Sequence, residues 1–246
     1  MHEPGGMFDE LIARLKAATS VFVLTGSGIS AESGLPTFHG AGGLWRSHRA
    51  QELASPEGFA RDPMLVWTWY NERRAVHQQA QPSPAHVALA RIEPLFGDFT
   101  LATQNVDSLH LRAGSRNVIE LHGNLREARC NSCGAIRSLE GPLPLEEIEH
   151  ACGGRFRPQV VWFGEALPQV EWRRAAEAAA RADVRLVVGT SGIVQPAASL
   201  ATNYGDAWTA EINPEETAIS PLVDASFRAR ASEILPQAAD RLTGAA

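Results

Sequence analysis

A short apolar segment that runs directly into a glycine-rich turn constrains the fold of this chain more than any other feature. Residues 21–25 read V-F-V-L-T and are followed by Gly26, Ser27 and Gly28. Such a run indicates a buried parallel strand, and glycines after it let backbone N–H groups approach a phosphate closely. Residues 30–33 are expected to open a helix whose N-terminus favours an anion. The stretch predicts a nucleotide site; an ordinary tight turn is the alternative, because Ala31 interrupts the full G-x-G-x-x-G pattern.

Composition narrows the class of protein. The chain has 246 residues with 44% hydrophobic content, enough for a sizeable core. Its net charge of −6 and isoelectric point near 5.8 argue against nucleic-acid binding. No apolar run approaches the roughly 20 residues that cross a bilayer, and the first residues lack a secretion signal. We expect a cytoplasmic protein without nucleic-acid or membrane partners, and a monomer, although no sequence feature specifies the oligomeric state.

A second strand-and-turn pattern indicates the architecture. Residues 184–188, V-R-L-V-V, run into Gly189, Thr190 and Ser191, as the first strand runs into its own turn. Helical patterns are predicted over residues 7–19, 56–82 and 170–182. Two such turns separated by helices and strands favour an α/β fold with a doubly wound parallel sheet.

Several longer motifs resemble those of one family. The stretch G-S-G-I-S-A-E-S-G-L-P-T-F-H, residues 26–39, is similar to the NAD-binding signature of the sirtuins, G-A-G-I-S-x-x-S-G-I-P-x-F-R. Ser27 replaces the family's Ala, and His39 replaces its Arg. T-Q-N-V-D-S-L-H at 103–110, H-G at 122–123 and R-P-Q-V-V-W-F-G-E at 157–165 match further signatures in family order. The resemblance extends over residues 21–236 and is strongest to bacterial CobB-like NAD-dependent protein deacylases.

The resemblance implies NAD as cofactor and assigns roles to individual residues. His122 is the expected general base, because an imidazole with a pKa of about 6.5 can accept a ribose proton at neutral pH. Asn105 and Asp107 follow a strand and are expected to line the nicotinamide pocket, where the resemblance implies that they are catalytic residues together with His122. The full set of expected cofactor residues is Gly26, Ser27, Gly28, Ile29, Ser30, Glu32, Phe38, His39, Trp45, Gln104, Asn105, Val106, Asp107, Gly189, Thr190, Ser191, Asn213, Pro214, Glu215 and Ala231.

Substrate residues are expected in two places. Tyr70 and Arg73 are three residues apart, so on a helix a phenol and a guanidinium share one face and can receive a carboxylate. A solvated helix edge with an aromatic anchor is the alternative from spacing alone. The resemblance implies that the pair receives the acid end of a succinyl-, malonyl- or glutaryl-lysine. It also implies that a run of five residues contacts an acylated-lysine protein by strand pairing: Val161, Trp162, Phe163, Gly164 and Glu165.

The cysteines suggest a metal. Cys130 and Cys133 form a C-x-x-C pair, and Cys152 follows at a distance that suits a third ligand. Sirtuins hold a structural zinc with two such pairs, but one of the four usual cysteines is missing here. Because zinc accepts imidazole nitrogen and carboxylate oxygen, His150 or Glu149 is the expected fourth ligand. A chain that has dispensed with the metal is the alternative.

The implied reaction is deacylation. The acyl oxygen attacks C1′ of the nicotinamide ribose, and the bond to nicotinamide breaks and releases it. His122 then deprotonates a ribose hydroxyl that attacks the imidate, and water releases O-acyl-ADP-ribose and free lysine. Phe38 is expected to shield the reactive sugar. The expected division is one catalytic unit with a Rossmann-like large domain (residues 1–38, 86–123 and 159–246) and a small domain (residues 39–85 and 124–158). An ADP-ribosyltransferase or NAD hydrolase, motivated by His39, and a catalytically weak NAD-binding module remain alternatives.

Overall fold

The computed structural model describes residues 4–37 and 48–244, which form a parallel sheet covered by helices and a smaller antiparallel sheet beside it. In chain order the elements are α1 (Pro4–Ala17), β1 (Ser20–Thr25), α2 (His48–Leu53), α3 (Pro56–Arg61), α4 (Pro63–Gln79), α5 (Pro84–Ile92), β2 (Asp98–Thr103), α6 (Leu109–Arg112), β3 (Val118–Glu120), β4 (Gly123–Cys130), β5 (Ile136–Ser138), β6 (Phe156–Val160), α7 (Gln169–Arg181), β7 (Val184–Val188), β8 (Trp208–Ile212), β9 (Ala225–Phe227) and α8 (Ala231–Thr243).

The large sheet has six strands in the order β3-β2-β1-β7-β8-β9. All neighbours are parallel, with Val21 opposite Phe99 on one side and opposite Val184 on the other. The chain builds outward from β1 to β3 and then returns to build outward from β7 to β9. The predicted doubly wound parallel sheet is therefore confirmed, with its topological switch between β1 and β7.

Apolar side chains alternate along β1 and separate two cores. Val21 and Val23 face α1, α5 and α8, whereas Phe22 and Leu24 face the alanine-rich helix α7. Small side chains on α7 let that helix lie close to the sheet. Both faces of the sheet are therefore buried, which explains why its central strands read as continuous apolar runs.

The smaller module combines α2 to α4 with a three-stranded antiparallel sheet in the order β5-β4-β6. Its core contains Phe59, Trp67 and Tyr70 from the helices together with Phe156 from β6, and Trp162 from the following loop packs among them. Strand β6 extends to Val160, two residues past the expected boundary at residue 158. The division into two domains stays a prediction in its details.

Two helix predictions needed correction. The segment predicted as helical over residues 56–82 is split into α3 and α4, because the Asp62 carboxylate caps α4 by accepting from the Leu65 N–H at 2.9 Å. Residues Ser27–Ser33 form a 3-10 helix that ends at Gly34 with φ of 81°, so the helix that was predicted to open over residues 30–33 ends there instead. Within the described residues, no helix has the length and apolar character that a membrane crossing requires.

Candidate functional site

A cleft of about 290 Å³ opens where the carboxyl ends of β1, β2 and β7 meet. Gly26 follows β1, Gln104 follows β2, and Thr190 lies just past β7, so three neighbouring strands deliver their loops to one place. This is the switch point of the sheet, where α/β folds of this type bind ligands. The cleft extends to the small module through Tyr70 and Trp162.

The glycines of the two turns are required by the packing of one turn on the other. A Cβ at Gly28 would lie 2.7 Å from Gly189 Cα, and a Cβ at Gly189 would lie 2.4 Å from the Ile29 nitrogen. The Gly28 N–H donates to the Gly189 carbonyl at 2.8 Å, and Gly189 has a φ of +60°. The sequence predicts that these glycines allow a phosphate to approach the backbone. In the structure, their lack of side chains allows the two turns to pack against each other.

Polar side chains fix the loops of the cleft to each other. Gln104 Nε2 donates to Thr190 Oγ1 at 2.9 Å, and Asn213 Nδ2 donates to the Thr190 carbonyl at 3.0 Å. Glu32 accepts from Ser232 at 2.6 Å, which connects the first turn to the start of α8 beside Ala231. These bonds preorganise the strand ends without any ligand.

Asn105 and Asp107 belong to a buried network below the first turn. Asn105 Nδ2 donates to the Gly26 carbonyl at 3.0 Å and to Ser30 Oγ at 3.2 Å. Asp107 accepts from Ser30 Oγ at 2.7 Å and from the Leu109 N–H at 2.9 Å. Burial raises the pKa of Asp107, although those two hydrogen bonds oppose the shift.

His122 lines the cleft two residues after the end of β3. Its Nδ1 lies 2.9 Å from the Gln104 carbonyl oxygen, which can only accept, so Nδ1 carries the hydrogen and Nε2 carries the lone pair. Burial lowers the pKa of His122, and the bond to Gln104 opposes part of that shift. The side chain is therefore a neutral imidazole at pH 7, as a general base requires.

Tyr70 and Arg73 both lie on the cleft wall contributed by α4. Tyr70 is 3% exposed, and its hydroxyl accepts from Trp162 Nε1 at 2.9 Å. Arg73 stacks on the Trp69 ring at 4.7 Å. The helix thus places a phenol and a guanidinium in the same cleft as His122, rather than at a solvated edge.

The segment after β6 forms the opposite wall. The Val161 N–H donates to the His122 carbonyl at 3.0 Å, and Phe163 is 50% exposed at the rim. Both oxygens of the Glu165 carboxylate accept from Arg157, and one also accepts from the Trp162 N–H at 2.8 Å. Burial opposes ionisation, but the Arg157 and Trp162 bonds hold the pKa of Glu165 below its usual value. Glu165 thus fixes the loop.

The predicted residues divide into three groups. Those that line the cleft are Gly26, Ser27, Tyr70, Arg73, Gln104, Asn105, Val106, His122, Val161, Trp162, Phe163, Gly164, Glu165, Thr190 and Ser191. Those that are not part of its lining are Gly28, Ile29, Ser30, Glu32, Asp107, Gly189, Asn213, Pro214, Glu215 and Ala231. Phe38, His39 and Trp45 lie outside the described residues.

Sequence reasoning missed some residues of the cleft. The lining of the cleft also includes Gln51, Leu167, Val194, Gln195 and Pro196. Arg157, which is only 5% exposed, supports the cleft wall. An arginine among apolar neighbours in a predicted strand needs a buried partner, so the R-P-x-V-V-W-F-G-E motif did contain a signal for the Arg157–Glu165 pair.

Four side chains gather into a candidate metal centre in the small module. The ligand atoms of Cys130, Cys133, Cys152 and His150 all lie within 4.8 Å of one another. Three thiols and an imidazole are a donor set that zinc binds tetrahedrally in structural sites. Glu149 instead pairs with Arg155 at 3.4 Å. The structure therefore selects His150 over Glu149 as the fourth ligand.

The donor set of the cleft also fits a dinucleotide. Hydroxyls of Ser27, Thr190 and Ser191 and amides of Gln104 and Asn105 line one continuous surface at the strand ends. Such groups suit phosphates, ribose hydroxyls and a carboxamide.

Comparisons with known proteins agree with this geometry. The chain is 51% identical over 228 residues to "NAD-dependent protein deacylase 2" of Pyrobaculum aerophilum, covering 91% of each chain. A solved Sir2 homologue–NAD complex is 45% identical with a TM-score of 0.88, covering 96% of this chain and 94% of that one. Sir2Tm bound to a propionylated peptide is 30% identical with a TM-score of 0.82, covering 97% and 99%.

The family model described as the Sir2 family matches residues 26–196, the part of the chain that carries the first turn, His122, the cysteine cluster and the second turn. This match spans more than half of the chain, and the relatives align over nearly all of it. The chain belongs to the Sir2 family, the sirtuins.

Proposed function

We propose that this protein is an NAD-dependent protein-lysine deacylase that prefers acidic acyl groups, succinyl and malonyl, with acetyl-lysine as a secondary substrate. Its products are nicotinamide, the O-acyl-ADP-ribose and free lysine. The observation that carries the proposal is that Tyr70 and Arg73 share one cleft with His122 and the glycine turns. The names of the relatives and the ligands of the two solved neighbours support the deacylase reaction.

The general base is His122. Its Nδ1–H is committed to the Gln104 carbonyl, so Nε2 is the nitrogen that accepts a proton. Because burial lowers the pKa of His122, the imidazole is neutral and ready to accept at physiological pH. NAD, when bound, supplies the electrophilic ribose carbon and the nicotinamide leaving group.

The cofactor would be held along the strand ends. Ser27, Thr190 and Ser191 would contact its phosphates, and Asn105 with Asp107 would position the carboxamide. Asn213, Pro214, Glu215 and Ala231 would hold the adenosine end, where the Glu32–Ser232 bond keeps the loops together. Phe38, His39 and Trp45 would complete the site from outside the described residues.

The charge of the pocket supports an acidic acyl group. Arg157 is paired with Glu165, and burial together with the charge of Arg73 lowers the pKa of His77 to about 4. Arg73 lies on the wall of the cleft and brings the positive charge of its guanidinium to an acyl chain. A guanidinium and a phenol can bind a carboxylate by charge-assisted hydrogen bonds, whereas an acetyl group offers neither charge nor a second acceptor.

The acyl-lysine peptide would lie against residues 161–165. Phe163 is exposed there, and Val161 is fixed by its bond to the His122 carbonyl. Pairing through the peptide backbone supplies affinity with little sequence preference. We expect the acyl group, rather than the flanking sequence, to dominate substrate choice.

The zinc would have a structural role. Cys130 lies in the same apolar core as Tyr70 and Trp162, so a metal that fixes the β4 end also supports the acyl pocket. A site of three cysteines requires reduced thiols, which is why we place the protein in the cytoplasm.

The test is mass spectrometry of purified protein with NAD and peptides of one sequence that carry acetyl- or succinyl-lysine. We expect faster removal of succinyl and no removal by His122→Ala. Release of nicotinamide without any acyl peptide, at the rate seen with it, would overturn the proposal in favour of NAD hydrolysis.

A further inference from the structure

The hydroxyl of Tyr70 is held from one side by an indole. Trp162 Nε1 lies 2.9 Å from Tyr70 Oη, and both side chains are 3% exposed. An indole N–H can only donate, so the phenol oxygen is the acceptor in this bond. The phenolic proton must therefore point elsewhere. Tyr70 makes no second side-chain hydrogen bond to the part of the chain that the structure describes.

The indole itself is clamped in place. The Arg157 guanidinium lies over the Trp162 ring at 3.4 Å, and Phe59 packs against the ring at 5.5 Å. Arg157 is fixed in turn by Glu165 and by the Val160 carbonyl at 2.8 Å. Since Glu165 also accepts from the Trp162 backbone N–H, the ring and its loop are held by the same carboxylate. A ring so restrained keeps its N–H aimed at Tyr70.

From this arrangement we infer that Trp162 is a specificity-determining positioning residue: by occupying the acceptor side of the Tyr70 hydroxyl, it directs the phenolic proton toward the carboxylate of an acidic acyl group. The inference rests on the proposed preference for acidic acyl groups. It assigns the selectivity to a pair of residues that are 92 positions apart in the chain, in addition to the charge of Arg73.

The chemistry explains why the effect is selective. Burial raises the pKa of Tyr70, so the hydroxyl keeps its proton at neutral pH. A buried donor that is aimed at a substrate acceptor discriminates strongly against a substrate that lacks the acceptor, because the donor is then left unpaired. A succinyl carboxylate supplies that acceptor and an acetyl methyl group does not.

The test uses Trp162→Phe, which keeps an aromatic ring and removes the N–H donor. The readout is the ratio of kcat/KM for a succinyl-lysine peptide to that for the acetyl-lysine peptide of the same sequence. Because both peptides meet the same enzyme preparation, partial unfolding or a general change in peptide binding cancels in the ratio. We expect the ratio to fall about tenfold, as the loss of one oriented hydrogen bond implies.

Trp67→Phe is the matched control. Trp67 lies in the same core, and its Nε1 donates to the Phe156 carbonyl at 2.8 Å, so its replacement also removes a buried indole N–H bond. It has no hydrogen bond to Tyr70, and the succinyl-to-acetyl ratio should remain that of the wild type. Arg157→Lys, which loosens the clamp, should lower the ratio by a smaller factor than Trp162→Phe.

A double-mutant cycle separates this inference from the proposed function. Tyr70→Phe should lower the ratio, and adding Trp162→Phe should lower it no further. If Tyr70→Phe lowers the ratio and Trp162→Phe leaves it at the wild-type value, the positioning role is wrong and the acidic-acyl function stands. If the wild type shows no preference for succinyl and Tyr70→Phe changes nothing, the proposed function itself fails.

Discussion

The Nδ1 nitrogen of His122 lies 2.9 Å from the backbone carbonyl oxygen of Gln104, and this contact decides which ring nitrogen can act as a base. Gln104 is the first residue after β2, and His122 follows the neighbouring strand β3 by two positions. The parallel pairing of these strands therefore sets the tautomer of the imidazole.

The acid limb of the pH profile should reflect a depressed pKa. Because burial lowers the pKa of His122 from 6.5, the neutral base persists to a lower pH than an exposed histidine would allow. We expect kcat/KM for the succinyl peptide to rise with pH through a midpoint below that value. Fluorescence over the same pH range is the control that the protein stays folded. A midpoint of the kcat/KM profile above pH 7 would contradict the account.

Gly189→Ala should be far more damaging than an ordinary substitution at positive φ. Its Cβ would lie 2.4 Å from the Ile29 nitrogen, and the backbone there cannot move without separating the two turns. Gly34 is the control, since it has a φ of +81° and open space around a Cβ. Gly34→Ala should lower the free energy of unfolding by about 1–2 kcal/mol. Gly189→Ala should lower it by more and should also weaken NAD binding. Equal losses of unfolding free energy would show that the turns do not pack as described.

Acid should destabilise the fold through His86. Burial lowers the pKa of His86 from 6.5 to about 4, so the unfolded chain binds an extra proton between those values. Stability therefore falls as the pH drops through that window, by roughly 1.4 kcal/mol per pH unit for one such histidine. Urea titrations at pH 7 and pH 5 should show that the free energy of unfolding falls less in His86→Asn than in the wild type. The amide oxygen of this variant can still accept from the Ser83 N–H. Identical losses in both proteins would assign the acid sensitivity to other groups.

Metal content should depend on His150 and not on its neighbour. Glu149 is engaged by Arg155, whereas His150 lies with the three cysteines. We expect elemental analysis to find zinc in the wild type, in Glu149→Ala and in His150→Cys, and little in His150→Ala. A metal-replete His150→Ala protein together with a metal-free Glu149→Ala protein would reverse the assignment.

Local patterns in the sequence predicted the parts of the fold that depend on neighbours along the chain. The V-F-V-L-T run and its glycine-rich turn predicted β1 and the turn that follows it, and the spacing of Tyr70 and Arg73 predicted their common face. The sequence also contained a signal for the break between α3 and α4, because Asp62 before Pro63 is typical of a helix start. The apolar run across these residues favoured one long helix, so the break was not predicted.

Contacts between distant segments could not be predicted in the same way. His150 and Glu149 are adjacent in sequence, and only the turn that pairs Glu149 with Arg155 decides which one reaches the thiols. Likewise, the Gly28–Gly189 and Trp162–Tyr70 contacts join residues far apart in the chain. Each depends on how two distant segments of the chain meet, for which sequence periodicity contains no signal.

The central claim is best tested by comparing succinyl and acetyl removal in the wild type and in Tyr70→Phe/Arg73→Met. Glu72→Gln, an exposed change on the same helix, is the control. The account predicts a wild-type ratio of kcat/KM above unity that falls by roughly tenfold to a hundredfold in the double variant, as expected for lost charge-assisted hydrogen bonds. Equal losses of both activities would contradict it.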